Sequence, residues 1–487
     1  MEIAPALHDI YRDDHEFVVV QKPAQVGGTE LSVNLSLWTA ATKQGGRGNV
    51  LYLMPTQENA DRLSQRRIAQ AIAESPELRK LVDPNTEGLR PTQRIQMRSI
   101  GPGVIYLAGS DQLSQYIGID ADRVILDEFD QMKDEVLSSA MARLRSSSFN
   151  RLLVISTPTI PEFGVHGLLM RSDERHYHLH CASCGVWLEP QFPVNVDFDH
   201  ERVVCDCGAP LTPTGPGRWV ALRPAITAIR GYQLNRLVLP NPPLRQMRLA
   251  AAGMLGLKTE EFWRQDLGMP FVTADARLTA ADLDNCRAVE PPPLTLFKPD
   301  AVVMGVDVGQ DHFWVVIRLF SKKHSYPLFV EKVYGDWEVL QALAERYKVQ
   351  FCVVDAQPDT RGAKRFRDRM RSTHCPYVWL CYYKVSGTEH DWDWGMEAKI
   401  SAVRTLSLDE MFDGFRRHRS MLPINSRELG GGAYYDHMQA LVRTTEPDDF
   451  GQPVPAYRHT RPDDFAHAEN YITLVSTRLG RWNGWWE

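Results

Sequence analysis

The stretch 18–30, VVVQKPAQVGGTE, passes from β-branched residues into a short loop holding Gly27 and Gly28, and then into a helix-compatible segment from Leu31 to Ala41. A strand, a glycine loop and a helix in that order constrain the fold more than any other feature, because such a turn aims backbone N–H groups at an anion. The P-loop pattern G-x-x-x-x-G-K-[ST] can be laid on it with Gly27 and Thr29 in register. The usual lysine position is then Gly28 and the usual first glycine is Lys22, so the cation stands at the front of the loop. A long ammonium can reach the β- and γ-phosphate oxygens of a nucleotide from that side. Amides from Gln25 to Thr29 would cradle the phosphates, and the Thr29 hydroxyl would sit on Mg²⁺. A Gly-Gly turn between strand and helix also serves with no ligand, and this stretch alone leaves both readings open.

The residues that follow bear on that choice. Residues 49–56 (NVLYLMPT) read as a buried strand ending in a polar loop, followed by a polar helix over 57–73. Residues 103–110 (GVIYLAGS) read as another strand, and 123–130 (RVILDEFD) as a strand presenting Asp127 and Glu128 together at its end. That is the form of a Walker B element: the first carboxylate holds Mg²⁺ through water, and the second polarises the attacking water. Residues 151–158 (RLLVISTP) add a strand that puts the hydroxyls of Ser156 and Thr157 beside the nucleotide. Strands alternating with helices, polar at their C-terminal ends, describe an open α/β sheet that binds its ligand along that edge.

Lys22 with Gly27 and Thr29, the Asp127-Glu128 pair and Ser156-Thr157-Pro158 together resemble the large terminase subunit of tailed double-stranded DNA phages, especially the lambda-like type. The resemblance implies that Ser156-Thr157-Pro158 is the coupling motif linking hydrolysis to movement. Two departures stand out. Residues 1–16 leave little room for the family's adenine-binding segment before the loop. The family's arginine upstream of Walker B is missing from Gln115-Tyr-Ile-Gly118, with Arg143 or Arg145 as substitutes for the arginine finger.

A chain of 487 residues exceeds one ordinary core, and two or three domains are expected. It has no apolar run of about eighteen residues and no basic-then-apolar leader, so neither a membrane span nor a secretion signal is expected. A net charge of −6 argues against a protein that coats nucleic acid but allows local basic tracks. Of eight cysteines, four cluster as Cys181-Ala-Ser-Cys184 and Cys205-Asp-Cys207. Each pair adjoins a glycine that permits a knuckle turn, the pattern of a structural Zn²⁺ site, with disulfides or reduced core thiols as the alternatives. His176, His178 and His180 precede it at the spacing of one strand face and are weaker ligand candidates. A zinc ribbon just after the motor also fits the lambda-like pattern.

Residues 231–287 read as helical, and the proline-rich 290–299 as the clearest domain boundary. Beyond it, 301–309 (AVVMGVDVG) carries Asp307 on the first strand of a hairpin, as an RNase H-like fold begins. Asp355 ends the short strand 351–356, and Asp463 and Asp464 open a helix near the C-terminus. Three carboxylates from two strands and a helix start can hold two divalent ions that activate water against a phosphodiester. By analogy with the terminase nuclease the set is Asp307, Asp355 and Asp464, with Asp463 competing for the third place. The basic residues of 361–371, and Arg416, Arg417 and Arg419, read as phosphate-binding tracks or as solvated faces. Trp392, Trp394, Trp482, Trp485 and Trp486 read equally as core or as partner anchors.

The expected architecture is thus α/β: a P-loop ATPase with a parallel sheet (1–170), a zinc-ribbon insertion (171–225), a helical linker (226–295) and a C-terminal RNase H-like nuclease domain (296–487). The resemblance implies a viral DNA-packaging motor with ATP, Mg²⁺ (or Mn²⁺ at the nuclease site) and structural Zn²⁺ as cofactors. Glu128, Asp307, Asp355 and Asp464 or Asp463 would be catalytic. Lys22, Gln25, Gly27, Gly28, Thr29, Asp127, Ser156 and Thr157 would bind the nucleotide, and Cys181, Cys184, Cys205 and Cys207 the zinc. Implied partners are double-stranded DNA, the portal of the procapsid and a small terminase subunit, with a homo-oligomeric ring on the portal in the host cytoplasm. A translocase or helicase with an inactive nuclease domain, and a non-enzymatic assembly scaffold, are the competing readings.

Overall fold

The computed structural model describes residues 4–483, apart from 43–45, 84–91, 134, 257, 274, 288–300, 322–323, 374, 385–386, 388 and 448–452. The proline-rich stretch 290–299 and Trp485 and Trp486 lie outside the described residues. The chain divides into two units, Met1–Val272 and Thr273–Glu487.

The first unit is built on one sheet. Its strand order is Gly217–Ala221, Arg175–His180, Arg230–Gln233, Phe17–Gln21, Arg151–Ser156, Arg123–Asp127, Asn49–Met54, Gly103–Gly109, Met97–Ile100 and Gln93–Arg94. From Arg175–His180 across to Gly103–Gly109 every pairing is parallel, and only the outermost strands run antiparallel. The central strands are continuous apolar runs because both faces are covered: all of Arg123–Asp127 is buried, as is Leu152–Ser156. The helix Gly28–Thr42 follows the first strand and is buried on most of its circumference. Its interior hydroxyls satisfy themselves locally, Ser32 donating to the Gly28 carbonyl at 3.2 Å and Ser36 to the Ser32 carbonyl at 2.8 Å.

Residues 226–295 do not form a separate helical segment; they divide between the two units. Arg230–Gln233 is a strand beside Phe17–Gln21, in the middle of the sheet. A run this short has no helical or strand periodicity of its own, and its pairing partner lies more than two hundred residues upstream, so the non-local ladder decides its state. The region 171–225 is likewise tied into the first unit, since Arg175–His180 and Gly217–Ala221 are strands of the same sheet.

In the second unit the sheet order is Ser325–Tyr334, His312–Phe320, Ala301–Val308, Phe351–Asp355, Tyr377–Lys384, Lys399–Val403 and Asp391–Trp392. The first three strands form an antiparallel meander and the next pairings are parallel, with one short antiparallel edge. The helix Asp464–Asn483 lies on Ala301–Val308 so closely that a Cβ on Gly305 would stand 2.0 Å from the Ala468 carbonyl oxygen. A buried ion pair holds the same helix: Arg318 Nε and Nη2 donate to Glu469 Oε2 and Oε1 at 2.7 and 2.8 Å. Tyr434 Oη donates to Glu469 Oε1 at 2.6 Å. Trp392 and Trp394 stack on each other and edge onto buried Trp379, so both belong to an aromatic layer of the sheet.

Candidate functional site

In the first unit the polar groups converge at the C-terminal ends of three adjacent strands. Phe17–Gln21 leads into the loop, Arg123–Asp127 ends in the two carboxylates, and Arg151–Ser156 lies between them. The loop bends through left-handed residues at Gln25 (φ 56) and Gly27 (φ 84) before the helix begins at Gly28. Lys22 is buried, and its Nζ donates to Glu128 Oε1 at 2.9 Å and to Thr157 Oγ1 at 3.4 Å. Its aliphatic stem crosses Gly28: a Cβ there would meet Lys22 Cδ at 2.5 Å and Cε at 2.7 Å. The residue in the usual lysine position is thus the glycine over which the displaced lysine passes.

Asp127 is fully buried and accepts from Tyr52 Oη at Oδ2, 2.6 Å away; its Oδ1 has no hydrogen-bond partner. Burial, then the charge of Glu128, raises its pKa, against the opposing effects of Tyr52, Lys22 and the Thr29 hydroxyl. A buried carboxylate with one oxygen unsatisfied, facing a threonine at a helix start, fits a hard divalent cation. Glu128 adopts a left-handed conformation (φ 60), which turns its side chain off the strand toward Lys22. Asp130, three positions after Asp127, was not singled out from the sequence. It receives Thr159 N and Oγ1 at 2.7 and 2.8 Å and Val165 N at 2.7 Å, and its own amide donates to Ser156 Oγ at 3.1 Å. It therefore pins the loop after Ser156-Thr157-Pro158 to the carboxylate strand. Arg143 closes the helix Glu135–Arg143 and Arg145 is exposed beyond it.

The four cysteines do meet: their sulfurs lie within 4.8 Å of one another, Cys181 and Cys205 buried, Cys184 and Cys207 exposed. Gly185 (φ 75) and Gly208 (φ 82) make the turns, donating back to the carbonyls of Cys181 and Cys205 at 2.8 Å each. The three histidines do share one strand face, opposite buried Tyr177 and Leu179. His176 is paired with Glu189 at 2.8 Å, and none of the three belongs to the sulfur group.

In the second unit Val306 pairs with Val354, which sets Asp307 and Asp355 side by side at one edge of the sheet. Burial, followed by the charges of Asp355, Asp464 and Asp463 in falling order, raises Asp307 well above an ordinary carboxyl. Burial also raises Asp355, whose Oδ1 accepts from the Gln357 amide at 3.0 Å. Tyr471 Oη donates to Asp307 Oδ1 at 3.4 Å. Asp463, whose charge also bears on Asp307, is engaged by a histidine relay. Asn470 Nδ2 donates to Tyr383 Oη at 2.8 Å, Tyr383 Oη lies 2.9 Å from His467 Nδ1, and His467 Nε2 lies 3.2 Å from Asp463 Oδ2. Burial alone would raise Asp463, but the bond and charge of His467 outweigh it and keep the carboxyl below its ordinary value. Asp464 Oδ2 instead lies 3.4 Å from His437 Nδ1. Among the described residues only the cysteine quartet brings three or more such ligand atoms within 4.8 Å of one another.

The basic tracks need correction. Arg361, Lys364, Arg365, Arg369 and Arg371 are exposed on the helix Thr360–Thr373, but Arg367 is buried and donates to the Glu397 carbonyl. Arg417 and Arg419 pair with Asp413, and Arg416 donates to the carbonyls of Asp275 and Arg277 at 2.7 and 3.0 Å. Of that second cluster only Arg416 binds backbone carbonyls, while Arg417 is exposed. Tyr52, Asp130, Tyr471 and the Arg318–Glu469 pair act through partners distant in sequence and leave no local signal, whereas His467 stands one helical turn after Asp463, a spacing the sequence does carry.

Residues 2–213 match the family model of the phage terminase large subunit gpA, ATPase domain. No curated protein sequence matches the chain. Among solved structures, the large terminase from a thermophilic bacteriophage is similar over 98% of this chain and 99% of that chain, at 12% identity and a TM-score of 0.36. The large terminase ATPase domain of Thermus phage P74-26 is similar over 56% and 94%, at 16% identity and a TM-score of 0.34. The large terminase nuclease of thermophilic phage G20c with bound magnesium is similar over 37% and 83%, at 13% identity and a TM-score of 0.26. The family match bears out, over residues 2–213, the resemblance to phage large terminase subunits read from the motifs. No helix among the described residues is long and apolar enough to cross a membrane.

Proposed function

We propose, from the match of residues 2–213 to a phage terminase ATPase domain, that the chain is the catalytic subunit of a viral DNA-packaging motor. It would couple ATP hydrolysis to translocation of double-stranded DNA into a procapsid, and cut concatemeric DNA in its second unit. The observation that carries the motor reading is Lys22 lying across Gly28 to reach Glu128, which supports a cation at the phosphates supplied from the front of the loop. Lys22 and the amides from Gln25 to Thr29 bind the phosphates, Thr29 and Asp127 hold Mg²⁺, and Glu128 orients the attacking water. Lys22 Nζ contacts Thr157 as well as Glu128, so a nucleotide that drew Lys22 away would release both; this shared contact supports Ser156-Thr157-Pro158 as the coupling element.

The second unit's meander, followed by parallel strands, supports the RNase H-like reading. Asp307, Asp355 and Asp464 would hold two Mg²⁺ or Mn²⁺ ions, which activate water and stabilise the leaving oxygen when bound. Asp463 competes for the third place, since each of the two adjacent carboxylates faces a histidine, His467 for Asp463 and His437 for Asp464. Cys181, Cys184, Cys205 and Cys207 would hold a structural Zn²⁺ with no open position. The portal, a small terminase subunit, a homo-oligomeric ring and the host cytoplasm follow from the same reading. The test is ATP turnover. Lys22→Ala should abolish it and Glu128→Gln should stop turnover while leaving ATP binding intact; normal turnover in Lys22→Ala would sink the assignment.

A further inference from the structure

Tyr52 belongs to none of the motifs named above, yet it makes the shortest contact to the metal-facing carboxylate of the motor. It sits on Asn49–Met54, opposite Ile125 of the carboxylate strand, and is fully buried. Its Oη donates to Asp127 Oδ2 at 2.6 Å, and the Ser32 hydroxyl of the loop helix faces the same phenol oxygen. The two oxygens of Asp127 therefore differ: Oδ2 is occupied by a donor anchored on a central strand, and Oδ1 is buried with no partner.

We propose that Tyr52 is a positioning residue that makes Asp127 a one-oxygen partner and thereby tunes the nucleotide site for Mg²⁺ over Ca²⁺. Mg²⁺ demands a near-ideal octahedron and keeps several waters, so it is served by one fixed carboxylate oxygen. Ca²⁺ takes more oxygens at longer distances and often binds a carboxylate through both. For Asp127 to chelate through both oxygens, Oδ2 would have to take the cation on its remaining lone pair, beside the positive end of the phenol O–H, and the packing of Tyr52 between two strands keeps that hydroxyl in place. The same bond ties Asn49–Met54 to the carboxylate strand and fixes the orientation of Asp127. The proposal rests on the reading of this loop as a Mg²⁺–nucleotide site.

The experiment is Tyr52→Phe in the full chain, with a fluorescent ATP analogue titrated in excess Mg²⁺ or in excess Ca²⁺. Loss of one outer partner of a metal-binding carboxylate should weaken Mg²⁺-dependent binding by roughly 10–100-fold. Ca²⁺-dependent binding should hold or strengthen, so the Mg²⁺:Ca²⁺ ratio collapses. In turnover the KM for Mg²⁺ should rise by a similar factor, with kcat largely recovered at saturating Mg²⁺. A wild-type ratio in a variant that melts like the wild type overturns the proposal. So does a parallel loss of both affinities with a lowered melting temperature, which is what a purely structural role would produce. If the wild-type chain binds the analogue with neither ion, the nucleotide reading fails first.

Discussion

Glu469→Gln removes one charge from the second unit and leaves side-chain volume nearly unchanged. Arg318 and Glu469 have side chains only 1% and 3% exposed, so no water stands ready to replace the lost carboxylate. The guanidinium would retain Ser325 Oγ at 3.2 Å, the Met421 carbonyl at 3.0 Å and Tyr434 Oη at 3.4 Å, all neutral. Of the two bonds at 2.7 and 2.8 Å, one would keep a neutral carbonyl acceptor and the other would be replaced by an amide NH₂ facing a cation. Removing one partner of a buried pair costs about 3–5 kcal/mol. For a unit of about 200 residues each kcal/mol moves the melting temperature by about 2–4 °C, so the fall should be roughly 6–20 °C. Calorimetry of the full chain reads this in the transition of the second unit. Salt should not restore it, because the pair is shielded from solvent. Glu469 lies five residues after Asp464 on one helix, about 7.5 Å along its axis, so DNA cleavage should fall as well. Replacing both partners, Arg318→Met with Glu469→Leu, should recover most of the stability, since no charge is then left unpaired. A Glu469→Gln protein melting within about 1 °C of the wild type would show that the pair does not clamp the helix.

Gly28→Ala would push Lys22 off its path and cost about 1–3 kcal/mol of strain. As lost transition-state stabilisation that is a fall of about 5- to 150-fold in ATP turnover, and unchanged turnover would refute the crossing of Lys22 over Gly28. Protein purified without chelator should carry one zinc per chain by elemental analysis, and Cys184→Ser should lose it and loosen the segment 181–207; absence of zinc from the wild type would defeat the site. Asp307→Asn and Asp464→Asn should abolish cleavage and spare ATP turnover, whereas Asp463→Asn should retain cleavage; an inactive Asp463→Asn would place the third carboxylate one residue earlier. Because the folded value of Asp307 is raised, the folded state binds more protons than the unfolded one above the unfolded carboxylate value of about 3.9. With divalent ions chelated, the second unit should therefore lose stability as pH rises through that window and regain it on adding Mn²⁺ with release of protons; a flat pH response would contradict the shift.

What the sequence by itself determined are the features carried by neighbours along the chain. The apolar runs at 18–20, 50–53, 124–126 and 152–155 became buried strands because a fully covered parallel sheet needs no polar alternation. The paired cysteines and their glycines specified local knuckles, and the structure brought the four sulfurs together as the spacing implied. Asp127, Glu128, Asp307 and Asp355 were legible because an acid at the end of an apolar run is a local signal. Tertiary structure alone decided how those groups are used. Lys22 meets Glu128 across 106 positions, Tyr52 meets Asp127 across 75 and Arg318 meets Glu469 across 151, separations over which no periodicity carries information. The same holds for Arg230–Gln233, which becomes a strand through its distant neighbour, and for Asp464, which faces His437. In each case a buried polar or charged group had to find a partner in space, and which partner it found depended on how the sheets stacked their strands and helices.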